Sequence, residues 1–151
     1  MHRHAEKRVL PHTAKQMFDL VADVERYPEF LPWCTGVRIV KREDQMFMAD
    51  LMIGYKVIRE KFTSRVELSP HELIKVTYMT GPLKELNNDW RFQDNGDGSC
   101  TIDFFIEFEF RSRLFERLIG GVFNEIVKRM VGAFVSRADD LYGSDQRLHQ
   151  L

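Results

Sequence analysis

The sequence predicts an α+β fold in which a seven-stranded, curved antiparallel sheet packs against one long C-terminal helix, with two short helices near the N-terminus. Three observations predict it. Apolar residues alternate with a period of two from Gly36 to Phe110, and turn residues interrupt the alternation at short intervals. From Ser112 onward apolar residues recur at spacings of three and four. A curved sheet with a helix across its concave face, the helix-grip arrangement, buries the apolar faces of both.

The N-terminal elements follow from a weak alternation and two capping patterns. Residues 3–10 alternate weakly and are predicted to form the first strand. Thr13 and Gln16 fit a capping box, in which each side chain bonds the backbone N–H of the other, and the apolar residues after them indicate a short helix. Asp23 is placed to cap a second short helix through Val24–Phe30. Two short helices predict a bent lid.

Six further strands are predicted between these helices and the C-terminal helix. Residues rich in Gly, Pro, Asn, Asp and Ser mark the turns at 42–44, 54–56, 69–71, 81–82 and 94–98. Short connections between consecutive strands are typical of an antiparallel meander with one buried face.

The C-terminal helix is predicted to begin after Ser112 and to end at Gly143, a length of about 45 Å at ~1.5 Å per residue. Gly120 and Gly121 inside it cost roughly 2 kcal/mol relative to two alanines. They indicate a close backbone approach, a bend, or an irregular start with the regular helix beginning near Val122. Residues 1–143 are predicted to form one domain, with 144–151 as a flexible tail.

Composition and charge exclude several classes of protein. The chain has 151 residues, and 22 Lys+Arg against 23 Asp+Glu give a net charge of −1, without the basic excess that is typical of DNA-binding proteins. No apolar run reaches about 18 residues, no N-terminal signal is recognisable, and two cysteines cannot form a disulfide framework. These features predict a cytoplasmic protein. The 12 Phe and 7 Met residues are typical of side chains that line irregular apolar space.

Five segments form a pattern that covers nearly the whole predicted domain. They are residues 21–34, 60–64, 81–90, 108–112 and 130–143. In order and spacing they resemble the coenzyme Q-binding family of START-like domains, part of the polyketide cyclase / START superfamily, which also includes the ribosome-association toxin RatA. Leu83 departs from the pattern, because the family has Phe at this position after Gly-Pro.

The resemblance implies a START / Bet v 1-like helix-grip fold with an apolar tunnel and no catalytic apparatus or cofactor. It implies that ubiquinone or a similar polyprenyl lipid binds in the tunnel in support of respiratory electron transport, with peripheral contact at the inner face of the membrane. It also implies an alternative, a RatA-like regulator that binds the large ribosomal subunit and blocks subunit association. The near-neutral charge places this alternative second. A cyclase-like enzyme is a third class that no constellation of residues supports.

The candidate ligand-binding residues belong to three groups. Large residues of the lid form either a hydrophobic plug or a gate of the tunnel. Glu60, Ser64 and Asn88 interrupt the inward alternation, so they either bond the oxygens of a quinone or, for Glu60, reach water or an arginine. Inward apolar positions form the tunnel wall. The full set is Tyr27, Phe30, Leu31, Trp33, Leu51, Ile53, Glu60, Phe62, Ser64, Asn88, Trp90, Phe104, Phe108, Val122, Phe123, Ile126 and Met130.

Three other patterns are predicted to carry no chemistry. A nucleophilic Cys34 would need a base, and the nearest histidine in sequence, His12, lies beyond the lid helix. His2 and His4 offer only two metal ligands on a chain terminus. Asp94–Gly98 lacks two of the ligands that a calcium loop requires, which predicts a hairpin turn. No catalytic residue or metal site is therefore expected.

Residues on the outer face of the predicted sheet suggest a docking surface or a solvated face. Met46, Met48 and Met52 face outward if the register is right, as an interaction surface would require. The next strand presents basic residues and the last strand acidic ones. The two charged sets are Arg59, Lys61 and Arg65, and Asp103, Glu107 and Glu109.

Overall fold

The computed structural model describes residues 1–143 and confirms the predicted fold class. The predicted tail lies outside the described residues. The strands form a single sheet in the order β1-β7-β6-β5-β4-β3-β2, and all neighbours are antiparallel. They are β1 (His2–Leu10), β2 (Cys34–Glu43), β3 (Met46–Tyr55), β4 (Ile58–Ser69), β5 (Leu73–Thr80), β6 (Leu83–Asp94) and β7 (Cys100–Phe110).

Three α-helices and three shorter helical segments cover the concave face. The α-helices are α1 (Ala14–Ala22), α2 (Arg113–Ile119) and α3 (Phe123–Ala138). Val24–Glu29 and Gly120–Val122 are 3₁₀ segments, and Asp139–Gly143 is a π-helical turn. Within the described part of the chain, no helix has the length and apolar character needed to cross a membrane.

The capping box predicted at the start of α1 is confirmed. Gln16 N donates to Thr13 Oγ1 at 3.1 Å, and Thr13 N donates to Gln16 Oε1 at 2.9 Å. The cap predicted for the second lid helix is wrong, because Asp23 makes no capping bond and instead pairs with Arg26 at 3.0 Å. This short segment is a 3₁₀ helix rather than an α-helix, and Pro28 inside it supplies no backbone N–H.

The C-terminal helix is interrupted at Gly120 and Gly121. The helix begins after Ser112 as predicted, and the Ser112 hydroxyl caps α2 by accepting from Leu114 N at 3.1 Å. The 3₁₀ segment Gly120–Val122 then separates α2 from α3. The longer regular helix therefore begins at Phe123, close to where the third interpretation placed it, although α2 before the glycines is helical as well.

The strand register confirms the predicted inner and outer faces. Met48 lies opposite Arg65, and Met52 opposite Lys61, so these methionines share the outer face with the basic residues of β4. Asp50 is an exception on this face, because only 3% of it is exposed. Its carboxylate accepts hydrogen bonds from Thr63 Oγ1 at 2.6 Å and from Arg38 Nη2 at 3.3 Å.

The acidic set on the outer face of β7 is balanced by neighbouring strands. Arg3 pairs with Glu107 at 3.1 Å, and Lys84 approaches Glu109 at 3.8 Å. The β4 cations Lys61 and Arg65 are exposed. Glu107 and Glu109 are therefore paired with cations, and on β4 Arg65 approaches Glu67 at 3.7 Å while Lys61 remains exposed.

The two edges of the sheet are β1 and β2. The register of β2 against β3 shifts twice, between Cys34 and Gly36 and between Ile39 and Lys41. Such irregularities bend an edge strand and interrupt its row of hydrogen-bonding groups.

Candidate ligand-binding cavity

A cavity of about 290 Å³ lies between the concave face of the sheet and the helices α2 and α3. Strands β3 to β7 supply one wall and the helices the other. Its lining is Trp33, Leu51, Ile53, Tyr55, Ile58, Glu60, Phe62, Ser64, Val76, Pro82, Leu83, Leu86, Asn88, Ile106, Phe108, Phe110, Phe115, Ile119, Phe123, Ile126, Val127 and Met130. A concave, mostly apolar site with few polar groups is the usual form of a small-molecule pocket.

Aromatic packing fills the other part of the interior. Phe134 on α3 is only 2% exposed, and its ring lies edge-on to Trp90 at 5.0 Å. The rings of Tyr27 and Phe30 lie 5.1 and 5.2 Å from the same ring. Because these rings occupy the space under the second half of α3, the cavity is confined to α2 and the first half of α3.

The three polar residues predicted on the inner face all lie in the cavity wall. Asn88 uses both ends of its amide within the protein: Nδ2 donates to the carbonyl of Phe105 at 2.8 Å, and Oδ1 accepts from Trp90 Nε1 at 3.0 Å. Among the described residues, the Glu60 carboxylate and the Ser64 hydroxyl have no hydrogen-bond partner. These two side chains are therefore available to an occupant.

Glu60 and Ser64 lie on the same face of β4, four residues apart. At ~3.3 Å per residue their α-carbons are about 13 Å apart. Ser64 is buried and lies opposite Ala49, whereas Glu60 is half-buried and lies opposite Ile53 nearer the β3–β4 turn. The cavity thus has a carboxylate towards one end and a hydroxyl deeper inside.

The structure brings eleven of the seventeen predicted site residues together in the cavity wall. They are Trp33, Leu51, Ile53, Glu60, Phe62, Ser64, Asn88, Phe108, Phe123, Ile126 and Met130. The other six lie outside it: Tyr27, Phe30, Leu31, Trp90, Phe104 and Val122.

Local packing explains where these six residues lie. Trp90 and Phe104 face inward as predicted, but they contact each other at 4.8 Å in the filled part of the interior. Leu31 is 1% exposed in the core, whereas Val122 is 37% exposed in the 3₁₀ segment.

The lid segment Val24–Glu29 is fastened to α3. Arg137 Nη2 donates to Glu29 Oε1 at 2.7 Å, and its guanidinium lies 5.3 Å from the centre of the Phe30 ring. The hydroxyl of Tyr27 donates to the carbonyl of Val21, and burial raises the pKa of that hydroxyl. These contacts fit the interpretation of Tyr27 and Phe30 as a hydrophobic plug.

Eleven lining residues were not among the predicted set, although the alternation or helical spacing of the sequence indicated the inward position of most of them. Ile106 and Phe110 have the same inward parity as Phe108, and Phe115 and Ile119 are spaced by four on α2. Tyr55 ends β3 with the same inward parity as Ile53, whereas Pro82 lies at a turn, for which alternation gives no information. The remaining five are Ile58, Val76, Leu83, Leu86 and Val127.

The residues set aside in the sequence make local structural contacts. Cys34 and Cys100 are buried, and burial raises the pKa of both thiols, that of Cys100 to about 11. The acid side chains of the β6–β7 turn accept nearby backbone N–H groups, such as Gly96 N on Asp94 at 2.9 Å. Within residues 1–143, no three His, Cys, Asp or Glu side chains are grouped so as to hold a metal ion.

Curated relatives match over nearly the full chain. The ribosome association toxin RatA of Pseudomonas aeruginosa is 36% identical over 135 residues, which are 89% of this chain and 94% of the toxin. The mitochondrial coenzyme Q-binding protein COQ10 homolog B of Xenopus laevis is 33% identical over 147 residues, or 95% of this chain and 60% of that protein.

Two solved structures share the fold at much lower identity. The ZhuI aromatase/cyclase of Streptomyces sp. R1128 superposes with a TM-score of 0.81 at 16% identity and covers 91% of this chain and 93% of its own. A START superfamily protein of Mycobacterium smegmatis gives a TM-score of 0.80 at 16% identity, with 93% and 99% covered. The family model described as polyketide cyclase / dehydrase and lipid transport matches residues 10–135. The chain therefore belongs to this START-like family, together with the RatA and COQ10 relatives that it resembles.

Proposed function

We propose that this protein is a non-enzymatic lipid-binding protein that holds ubiquinone or a related polyprenyl lipid in its cavity and supports respiratory electron transport. The cavity of about 290 Å³ with an almost entirely apolar lining carries this proposal. The relative named as a coenzyme Q-binding protein supports the choice of ligand.

The chemistry of the wall suits a long apolar chain with a small polar head. Burial of the chain stabilises the complex by ~25 cal/mol per Å² removed from water, without any requirement for directional contacts. The head would bond Glu60 or Ser64, two polar side chains of the lining that make no hydrogen bond within the described residues. Since these groups stand about 13 Å apart along β4, they do not form the contacting nucleophile and base that covalent catalysis needs.

Organic extraction followed by mass spectrometry tests the proposal directly. The purified protein is expected to yield a polyprenyl quinone, and stripped protein to take one up from detergent micelles. Bovine serum albumin treated in parallel controls for non-specific carry-over. Repeated extraction without any quinone, together with no uptake from micelles, would contradict the proposal.

A second candidate function is ribosome binding in the manner of the RatA relatives. The specific observation is the outer face of β4, where Arg59, Lys61 and Arg65 are all exposed. Clustered cations bind nucleic-acid phosphates and release their counterions, so the interaction weakens as salt rises.

Reversing two of these charges tests ribosome binding. The double variant Lys61→Glu/Arg65→Glu is expected to reduce cosedimentation with the large subunit by about tenfold or more at low salt. Arg59 is kept, because its Nη1 donates to the carbonyls of Lys56 and Ile58 at 2.8 and 2.7 Å and so holds the β3–β4 turn.

The matched control reverses two exposed charges on α3, Lys128→Glu/Arg129→Glu, and is expected to sediment as the unaltered protein does. Failure of the unaltered protein to cosediment at low salt would exclude this candidate.

A further inference from the structure

The cavity reaches one end of the sheet, where the β3–β4 and β5–β6 turns and the start of α2 come together. Six partly exposed residues line the cavity there, and we call them the mouth. They are Tyr55, Ile58, Pro82, Phe110, Phe115 and Ile119. Deeper lining residues such as Ser64, Ile106 and Phe108 are buried, so an occupant is most accessible from the mouth.

Exposed aliphatic side chains border the mouth on two sides. Val57, between the mouth residues Tyr55 and Ile58, is 89% exposed. On α2, Leu114 and Leu118 are 64% and 55% exposed. A cluster of this kind beside a cavity is typical of an interaction site.

Helix α2 carries apolar residues on two of its sides, between charged residues. Phe115 and Ile119 point into the cavity, whereas Leu114 and Leu118 face outward, and none of its residues is buried. Leu114 and Leu118 leave apolar surface of the helix open to water. The outer side of α2 thus lacks a cover in the isolated chain.

Cations surround these aliphatic residues. Lys56 and Arg59 flank Val57, and Arg111, Arg113 and Arg117 lie just before and along α2, all exposed. The one acid on α2, Glu116, is engaged with His2 Nε2 at 2.8 Å. The border of the mouth therefore combines aliphatic side chains with a net positive charge.

We propose that the mouth docks on an anionic lipid bilayer, with Val57, Leu114 and Leu118 inserted at the boundary of headgroups and acyl chains. The five surrounding cations then lie among the phosphates, where basic side chains are attracted to anionic lipid. This inference rests on the proposed lipid-binding function, because docking would let a lipid pass between bilayer and cavity without crossing water.

Charge argues against two other occupants of this surface. A second copy of the chain in a two-fold dimer would place the five cations against themselves, which is unfavourable. An RNA would satisfy the cations but offers no apolar layer to cover Leu114 and Leu118. Only an anionic bilayer supplies both negative charge for the cations and an apolar layer for Leu114 and Leu118.

Vesicle flotation with ligand-free protein tests the docking. Binding to phosphatidylcholine vesicles that contain phosphatidylglycerol is expected to exceed binding to pure phosphatidylcholine by about tenfold or more. The variant Leu114→Ser/Leu118→Ser is expected to lose about tenfold or more of this binding. The control Val9→Ser/Val40→Ser removes two equally exposed aliphatic side chains (69% and 51%) elsewhere on the sheet and is expected to bind normally.

Charge reversal on α2 tests the electrostatic contribution to vesicle binding. Arg113→Glu/Arg117→Glu is expected to abolish the preference for phosphatidylglycerol, while Lys128→Glu/Arg129→Glu on the exposed side of α3 retains it. Circular dichroism of each variant, unchanged from that of the unaltered protein, shows that the loss is not unfolding.

A labelled cysteine reports insertion directly. Leu118→Cys carrying a polarity-sensitive fluorophore is expected to shift to the blue with anionic vesicles, and Val9→Cys to show no shift. The label is selective because both native thiols are buried and burial raises their pKa.

Several results would overturn the docking proposal. They are equal flotation of the Leu114→Ser/Leu118→Ser variant, equal binding to neutral vesicles, dimerisation through α2 in sedimentation, or an RNA that displaces the vesicles. Quinone uptake from micelles, measured in parallel, separates the two proposals. Uptake without vesicle binding contradicts only the docking, whereas vesicle binding without uptake contradicts only the ligand.

Discussion

Replacing Phe134 with Ala is expected to lower the free energy of unfolding by about 3–5 kcal/mol, the usual range for removal of a buried Phe. Phe134 is 2% exposed and joins three parts of the molecule. Its ring contacts Tyr27 and Phe30 of the lid and Trp90 of β6, all within 5.0 to 5.2 Å. The variant would leave a void among rings that cannot close it without moving the lid. Urea unfolding followed by circular dichroism measures the loss.

Phe105→Ala is the matched control for this prediction. Phe105 lies on the outer face of β7, opposite Ala5 and Asp89, and is partly exposed. Its truncation removes the same atoms but creates no internal void, so its effect on stability should be clearly smaller. Equal losses in the two variants would show that Phe134 does not hold the lid, α3 and the sheet together.

Replacing Met130 with Trp is expected to weaken ubiquinone binding by about tenfold or more, or ~1.4 kcal/mol or more, with the fold intact. Met130 is on α3, and its side chain lines the cavity. An indole at this position would extend into space that holds no protein atoms, so it would compete with the ligand rather than with the core. Quinone uptake from micelles and the Tm are the two measurements.

Lys128→Trp adds the same indole to the exposed side of α3, two residues earlier, and is expected to leave binding unchanged. Unaltered uptake by the Met130→Trp variant, with a normal Tm, would mean that the ligand does not occupy this part of the cavity. A large fall in Tm would instead indicate that the cavity wall cannot accept added volume, which Ile126→Trp would test independently.

The faces of the elements could be predicted from sequence because they follow directly from backbone geometry. A strand alternates its side chains, so the inward position of Phe62 on β4 also fixes Glu60 and Ser64 on the same face. The capping box at Thr13 could also be predicted, because both of its hydrogen bonds join residues only three positions apart in the sequence.

Position along an element could not be predicted in this way. Leu86, Asn88 and Trp90 have the same parity on β6, yet Leu86 faces the cavity and Trp90 packs under Phe134. Which of them meets open space depends on where α3 crosses the sheet, and no local pattern encodes this. The glycines indicated an irregularity in the C-terminal helix, but the apolar spacing continues through Gly120–Val122 and so did not show that α2 before them is a separate helix.

The irregular edge strand β2 has a consequence for aggregation. An open sheet exposes unpaired backbone groups along its first and last strands, and a regular edge can template the addition of further chains. In β2 two register shifts break this row, and the exposed charges of Lys41 and Arg42 follow the second shift. The β2 edge is therefore a poor template for the addition of a further strand.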